Sequence, residues 1–364
     1  MRGCGPFPGC TPRRRPIQTD PFTVSAEQDN LQGHPAQVLL FSTVFPPFIA
    51  EDERLLRRHF ALRKLIASGP RAFLALVPAI LRSDVVLTWF GSVYSAFNTA
   101  VAHLAHKPSL IVVGGVDAAR LDEIGYGIWL SRWKSVIVRY AFRNAERVLV
   151  VDGSLGDAAR RLAAYDGNNI SYLPTGYDAG RWPGPSDGRD NVILTVATCD
   201  TMRRVQVKGI DKLLHVARNM PGTSFRIIGM HPNIEERLRP DVPANVKILP
   251  PLPQEQLAEE YGKAKVYCQP SLTEGLPNTL CEAMLCGCIP VGTRVGGIPT
   301  AIGETGFVVD YGNEDALSDA LRQALSAPPG KGLEARHRIM TEFAVSKREE
   351  GLRAIIAEEL RRSP

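Results

Sequence analysis

The chain lacks any apolar run approaching the roughly 18 residues that cross a bilayer. Its longest candidates, residues 72–81 and 109–116, fall well short, so no transmembrane helix is expected. Paired CxxC spacing is also missing. The seven cysteines are an odd number and most sit in apolar runs, which argues against a disulfide framework and for a reducing, cytoplasmic compartment. The tightest group, Cys281, Cys286 and Cys288, lies in a helix-like stretch without zinc spacing and reads as small buried hydrophobes. Arg13, Arg14 and Arg15 are followed by no apolar stretch, so no secretory signal is expected; residues 1–34 read as a Pro/Gly-rich disordered tail. Neither half opens with a strand followed by GxGxxG, which disfavours a nicotinamide-dependent oxidoreductase. Stacking aromatics do not interleave with the basic residues, so no nucleic-acid partner is expected.

What is present is 364 residues of ordinary globular composition, 44% hydrophobic and 22% charged, long enough for two domains. Net charge is +5 and it is unevenly spread: residues 1–183 hold 21 Lys and Arg against 15 Asp and Glu. The sharpest basic stretch runs from Arg54 through Arg57, Arg58, Arg63, Lys64 and Arg71 to Arg82 without an acid. Its first part reads as a helix over residues 51–67. The stretch suits either peripheral contact with an anionic membrane or a solvated helix face, and the sequence leaves both open.

Short apolar runs alternate with amphipathic ones, the pattern of parallel sheets wrapped by helices. Residues 37–42, 85–89, 109–113, 147–152 and 170–173 read as strands of a first sheet. After a Pro/Gly-rich linker at 180–188 the alternation restarts, with strands at 192–197, 224–229, 246–249, 265–269, 289–291 and 306–309. The expected organisation is therefore an N-terminal Rossmann-like domain over 35–183, a second over 189–340, and a closing helix over 341–364. Function is expected between the two, beyond the carboxyl ends of the strands.

The chemistry concentrates in residues 270–284, PSLTEGLPNTLCEAM. A strand gives way to a glycine turn and then to a helix that Pro277 can open. Free N–H groups of Asn278, Thr279 and Leu280 would then face outward, an anion site suited to a diphosphate. Glu282, one turn on, would reach ribose hydroxyls, and Glu274 would point at whatever hangs from the far phosphate.

Glu274 and Glu282, seven residues between them, resemble the E-x7-E signature of glycosyltransferase family 4, retaining enzymes of the GT-B fold. Lys208-Gly209-Ile210-Asp211, Gly287-Cys288-Ile289-Pro290-Val291, Gly296-Gly297-Ile298-Pro299 and Gly306-Phe307-Val308-Val309 agree with the family in order. The resemblance implies an α/β, GT-B architecture of two Rossmann-like doubly wound domains facing a central cleft. It implies a hexosyl-type transferase moving sugar from a nucleotide-diphosphate donor to a glycan or lipid-linked acceptor in cell-envelope or exopolysaccharide synthesis. Lys208 and Arg204 would neutralise the leaving diphosphate, with Glu274 at the sugar. Glu282, Asn278, Thr279, Leu280, Leu276, Gly275 and Arg203 would make up the rest of the donor site. No cofactor or metal is implied.

Departures lie mostly in the first half. Gly114 stands where many members carry a histidine, making Asp117 a candidate to take over its role, against an equal reading as a turn residue. Residues 42–48, STVFPPF, replace a glycine-rich loop, and Thr300 stands where a further acid is common. His59, His103, His106 and His231 have no partner identifiable from spacing. Two alternatives remain: a sugar-nucleotide epimerase of GT-B architecture, and a non-catalytic sugar-nucleotide or glycan-binding relative.

Overall fold

A computed structural model describes residues 35–185 and 188–363. The tail reading for residues 1–34 lies outside the described residues. The first half runs β1 (Gln37–Ser42), α1 (Pro47–Leu56), β2 (Ala61–Ile66), α2 (Pro70–Leu81), β3 (Val85–Trp89), α3 (Val93–Leu104), β4 (Ser109–Val113), α4 (Arg132–Asn144), β5 (Arg147–Val150), α5 (Gly153–Ala163) and β6 (Ile170–Tyr172). The second opens with β7 (Asp190–Cys199), α6 (Met202–Val207), α7 (Ile210–Arg218), β8 (Ser224–Met230), α8 (Pro232–Leu238), β9 (Val246–Leu249), α9 (Gln254–Lys263) and β10 (Ala264–Gln269). It closes with α10 (Asn278–Leu285), β11 (Ile289–Thr293), α11 (Ile298–Ile302), β12 (Phe307–Val309), α12 (Glu314–Ser326), α13 (Gly330–Glu342) and α14 (Val345–Arg362).

Each half holds a six-stranded parallel sheet, ordered β2-β1-β3-β4-β5-β6 and β12-β11-β10-β7-β8-β9. The central strands β3, β4 and β11 are buried throughout, as strands covered on both faces must be. These are the two doubly wound sheets of the GT-B fold. In the second sheet the winding reverses between β7 and β10, which pair in parallel through Val266 with Ile193 and Tyr267 with Leu194. Loops leaving those strands diverge at the reversal and open a crevice there.

One expectation is corrected. The helix read over residues 51–67 ends at Leu56, and Ala61–Ile66 pairs with β1 instead, from Gln37 with Ala61 to Ser42 with Ile66. The run ALRKLI suits the edge of a sheet, where Arg63 and Lys64 face solvent and discourage further pairing. The basic stretch is thus three separate elements, and much of its charge is satisfied internally. Arg54 pairs with Glu51, Arg57 and Lys64 with Glu53, and Arg58 with Glu349.

The chain crosses between sheets twice, and the crossings are stitched together. Tyr177 donates its N–H to the Phe343 carbonyl at 2.8 Å, and Val345 donates to the Tyr177 carbonyl at 3.1 Å. Directly beyond, α14 inserts Arg348 into the first half. Its guanidinium, only 1% exposed, grips Asp52 of α1 at 2.7 and 3.0 Å and donates to the Leu173 carbonyl at 2.7 Å. The Trp89 indole donates to the same Asp52 carboxylate at 3.0 Å. A buried ion pair is costly to break on one side because the survivor is left unpaired. Arg348→Met is therefore expected to destabilise by about 3–5 kcal/mol, and Asp52→Asn added to it to recover part of that loss. Urea unfolding midpoints of the three proteins check this.

Candidate functional site

The site begins with two turns at the crevice. After β7, Lys208 caps the carboxyl end of α6, and Gly209 follows in the left-handed region at φ 64°. A Cβ on Gly209 would lie 1.9 Å from the Pro270 carbonyl oxygen, so the turn after β7 packs directly on the turn after β10. Leu272 adds a backbone bond to the Val207 carbonyl at 2.8 Å. That contact delivers the Lys208 ammonium to Glu274, Nζ to Oε1 at 2.5 Å. The same Oε1 accepts from Ser271 Oγ at 2.8 Å and Gln269 Nε2 at 3.0 Å. Gln269 in turn accepts from the Tyr267 hydroxyl at 3.0 Å, fixing its amide. Sequence reasoning missed Gln269, Ser271 and Tyr267; their alternation on β10 and its exit is a signal for one shared face, but nothing in it names Glu274 as the target.

Glu274 and Gly275 are wedged between backbones. A Cβ on Gly275 would meet the Gly114 carbonyl oxygen at 2.1 Å, and one on Gly296 would meet the Glu274 carbonyl oxygen at 2.0 Å. Gly114 belongs to the first half, so the acidic turn is clamped across the cleft. Asp117 acts on that clamp from behind. Its buried carboxylate accepts N–H bonds from Gly91 at 2.9 Å, Gly114 at 3.2 Å and Gly115 at 2.8 Å. Burial pushes its pKa up, opposed by those three donors. Asp117 therefore shapes the Gly114–Gly115 backbone, and the structure does not bring its carboxylate into the open cleft.

Helix α10 starts behind Pro277, and its first intrahelical bond comes from Cys281 N–H. The N–H groups of Asn278, Thr279 and Leu280 precede that bond and point out of the helix end. Side chains are otherwise engaged: Asn278 Oδ1 accepts from the Tyr177 hydroxyl at 2.8 Å, and Thr279 Oγ1 lies in hydrogen-bond contact with the Tyr267 hydroxyl oxygen at 2.8 Å. Leu276 and Leu280 are buried in the core, so they offer backbone alone. Glu282 faces a cleft of about 390 Å³ lined also by Phe48, Thr198, Leu252 and Trp182. Burial pushes its carboxyl up to about 7, tempered by the Tyr261 hydroxyl 3.3 Å away. Leu252 lies in the proline loop after β9, and Tyr177 comes from the crossing segment; the sequence carries no pattern that marks Tyr177.

The two arginines separate. Arg204, paired loosely with Asp200 at 3.5 Å, acts electrostatically on Cys199 and Tyr126 together with Lys208. Arg203 instead reaches the loop around Gly125. His59 has a partner that spacing did not reveal, Glu349 at 2.8 Å. Cys281, Cys286 and Cys288 are buried free thiols.

The clamp yields a direct test. Gly275→Ala drives a methyl into backbone on the facing side and is expected to destabilise by about 1–3 kcal/mol or more. Gly153→Ala, at the start of α5 with nothing near its would-be Cβ, is expected to be neutral or stabilising by about 0.5–1 kcal/mol. Unfolding curves of both variants make the comparison.

Residues 190–327 match the family model described as Glycosyl transferases group 1. Alpha-maltose-1-phosphate synthase of Mycolicibacterium smegmatis is 25% identical over 289 residues, 71% of this chain and 74% of that protein. D-inositol 3-phosphate glycosyltransferase of Rhodococcus opacus is 30% identical over 175 residues, 43% of this chain and 38% of that one. Among solved structures, Anabaena HepE in complex with UDP superposes with a TM-score of 0.71 at 13% identity, covering 89% of this chain and all (100%) of that one. Sucrose-phosphate synthase of Thermosynechococcus elongatus gives 0.72 at 16%, covering 90% and 100%. The second half, where Lys208, Glu274 and Glu282 lie on the turns and helix around its crevice, is thus similar to the group 1 glycosyltransferases, and the chain as a whole has the GT-B fold.

Proposed function

We propose that the cleft binds a nucleotide-diphosphate sugar and that the enzyme, as a member of family 4, transfers the sugar with retention to a glycan or lipid-linked acceptor. The setting is cell-envelope or exopolysaccharide synthesis on the cytoplasmic side. The observation that carries this is that the turn after β7, with Lys208 paired to Glu274 and Arg204 one turn before it, packs on the turn after β10, from which α10 opens with three outward amides and with Glu282 facing the cleft. Ribose hydroxyls on Glu282 place the diphosphate at the α10 amides, and the far phosphate then meets Lys208 with Arg204 behind it. Glu274 holds Lys208 in place and lies where the sugar would hang.

Chemistry follows from charge. As the bond from anomeric carbon to phosphate oxygen lengthens, negative charge grows on the diphosphate, and preorganised cations and amides stabilise it most at that moment. Those protein groups already supply the counter-charge, so we propose a reaction without a metal. Attack from the face the leaving group departs preserves configuration, and the departing phosphate oxygen takes the acceptor proton. HepE has been solved with UDP and with UDP-glucose, which makes UDP-sugars the first donors to try.

Thermal unfolding against UDP, GDP, ADP and dTDP and their sugars tests the donor site. A nucleotide at a hundred times its Kd adds about 2.7 kcal/mol. One nucleotide is expected to stabilise the wild type but neither Lys208→Ala nor Glu282→Ala; stabilisation of none, with the protein folded, would sink the assignment.

The raised pKa of Glu282 adds a pH signature. Its folded value of about 7 exceeds the ordinary 4.5, so the ligand-free protein binds the proton more tightly than the unfolded chain does. Its contribution to stability is full below about 4.5 and is lost as pH rises through about 7. Nucleotide affinity should run the other way, rising through the same window as the carboxylate becomes a double acceptor. In Glu282→Gln both dependences are expected to flatten, which calorimetric titrations across that range would record.

A further inference from the structure

We propose that the outer layer formed by α2, α3 and α4 docks on an anionic lipid surface. This rests on features apart from the donor cleft. Steps from β2 to β3, β3 to β4, β4 to β5 and β5 to β6 all advance the same way through the sheet, so right-handed crossovers put α2, α3, α4 and α5 on one face, and the acid of α5, Asp157, is paired with Arg160 at 3.0 Å. Helix α3 packs between α2 and α4. Helix α1, whose crossover runs the opposite way, lies on the other face with α14.

The solvent side of this layer is unusually apolar. On α2 the stripe is Leu74, Val77 and Leu81, with Leu74 77% exposed; on α4 it is Trp133, Val136 and Tyr140, with Trp133 59% and Val136 63% exposed. Both repeat at i, i+3 and i+7, one line along a helix. Leu104, 80% exposed, lies at the end of α3 between them.

Charge decides what covers it. The three helices contain no aspartate or glutamate at all. Arg71, Arg82, Arg132 and Lys134 have no carboxylate partner among the described residues, whereas Arg143 and Lys107 are spent on backbone carbonyls. The nearest acids in sequence, Asp84 and Glu146, accept backbone N–H groups of Gln37 and Ser109. A second copy of this face would set like charges against each other. A bilayer of anionic lipid offers headgroups to the cations and an apolar boundary to the stripes, with tryptophan and tyrosine at the level between. Because α2 and α4 begin at the carboxyl edge of the sheet, Leu74 and Trp133 lie toward the cleft, so docking there brings the cleft mouth to the membrane.

Flotation with vesicles of phosphatidylcholine, alone or mixed with phosphatidylglycerol, tests this on the full chain. Binding is expected only with the anionic lipid. Trp133 is the exposed one of four tryptophans, so its emission should shift to the blue on binding. Arg132→Gln with Lys134→Gln should lower partitioning about thirtyfold at low salt. Leu74→Ser with Trp133→Ser should lower it about tenfold or more. Both pairs face solvent, and an unchanged unfolding midpoint confirms that folding is intact. Failure of the folded protein to float, flotation insensitive to both pairs, or concentration-dependent dimerisation lost in Trp133→Ser would each overturn the proposal, and none bears on nucleotide stabilisation.

Discussion

Backbone meets backbone across the cleft where Gly114 faces Gly275, and the placement of Glu274 and Lys208 hangs on that approach. No side chain fits between them, so the first half sets the height of the Glu274 turn with a carbonyl rather than with a flexible group. Gly296 bounds the turn on its far side. A carboxylate held in this way has little room to wander, and the ammonium it holds inherits the same position. Precision of this kind matters because an error of about 1 Å in a catalytic group can cost about a hundredfold in rate.

Asp117 and Arg348 both serve that contact from a distance. Asp117 gathers three N–H groups and thereby fixes the loop carrying Gly114. Arg348 ties α1, Trp89 and the first crossing segment to α14, so the return of the chain is anchored in the first half's core. Both are buried charges fully bonded in place. Neither is visible as such in a sequence, where a carboxylate in a turn and an arginine in a charged helix look like solvated residues.

The second sheet was legible almost element by element because its strands are short apolar runs bounded by turns, and its motif lies at a topological reversal that parallel winding dictates. Glu274, Glu282 and Lys208 were readable for that reason. The first sheet was harder. Residues 61–66 carry charges in their middle and no alternation strong enough to outweigh the helical stretch before them; only pairing with β1 makes them a strand. Tyr177 and Gln269 escaped for another reason: the partner of Tyr177 is 101 residues away, and that of Gln269 is reached only through the conformation of the turn between them. Periodicity reports which face a residue occupies, and says nothing of which distant atom waits there.

This asymmetry follows from what each half has to do. On the proposed function, stabilising a departing diphosphate demands fixed cations and amides at defined spacing, and those requirements leave a pattern in residues 204–282. The first half meets the second mainly through backbone and through groups buried behind it, requirements that glycine and one well-bonded acid satisfy in many sequences. Gly114 illustrates the difference. A side chain there would run into the Phe90 ring, 2.7 Å from the would-be Cβ, while the Gly114 carbonyl meets Gly275; the first half's contribution is one of distance and shape, and the cations and outward amides of the cleft stay with the second sheet.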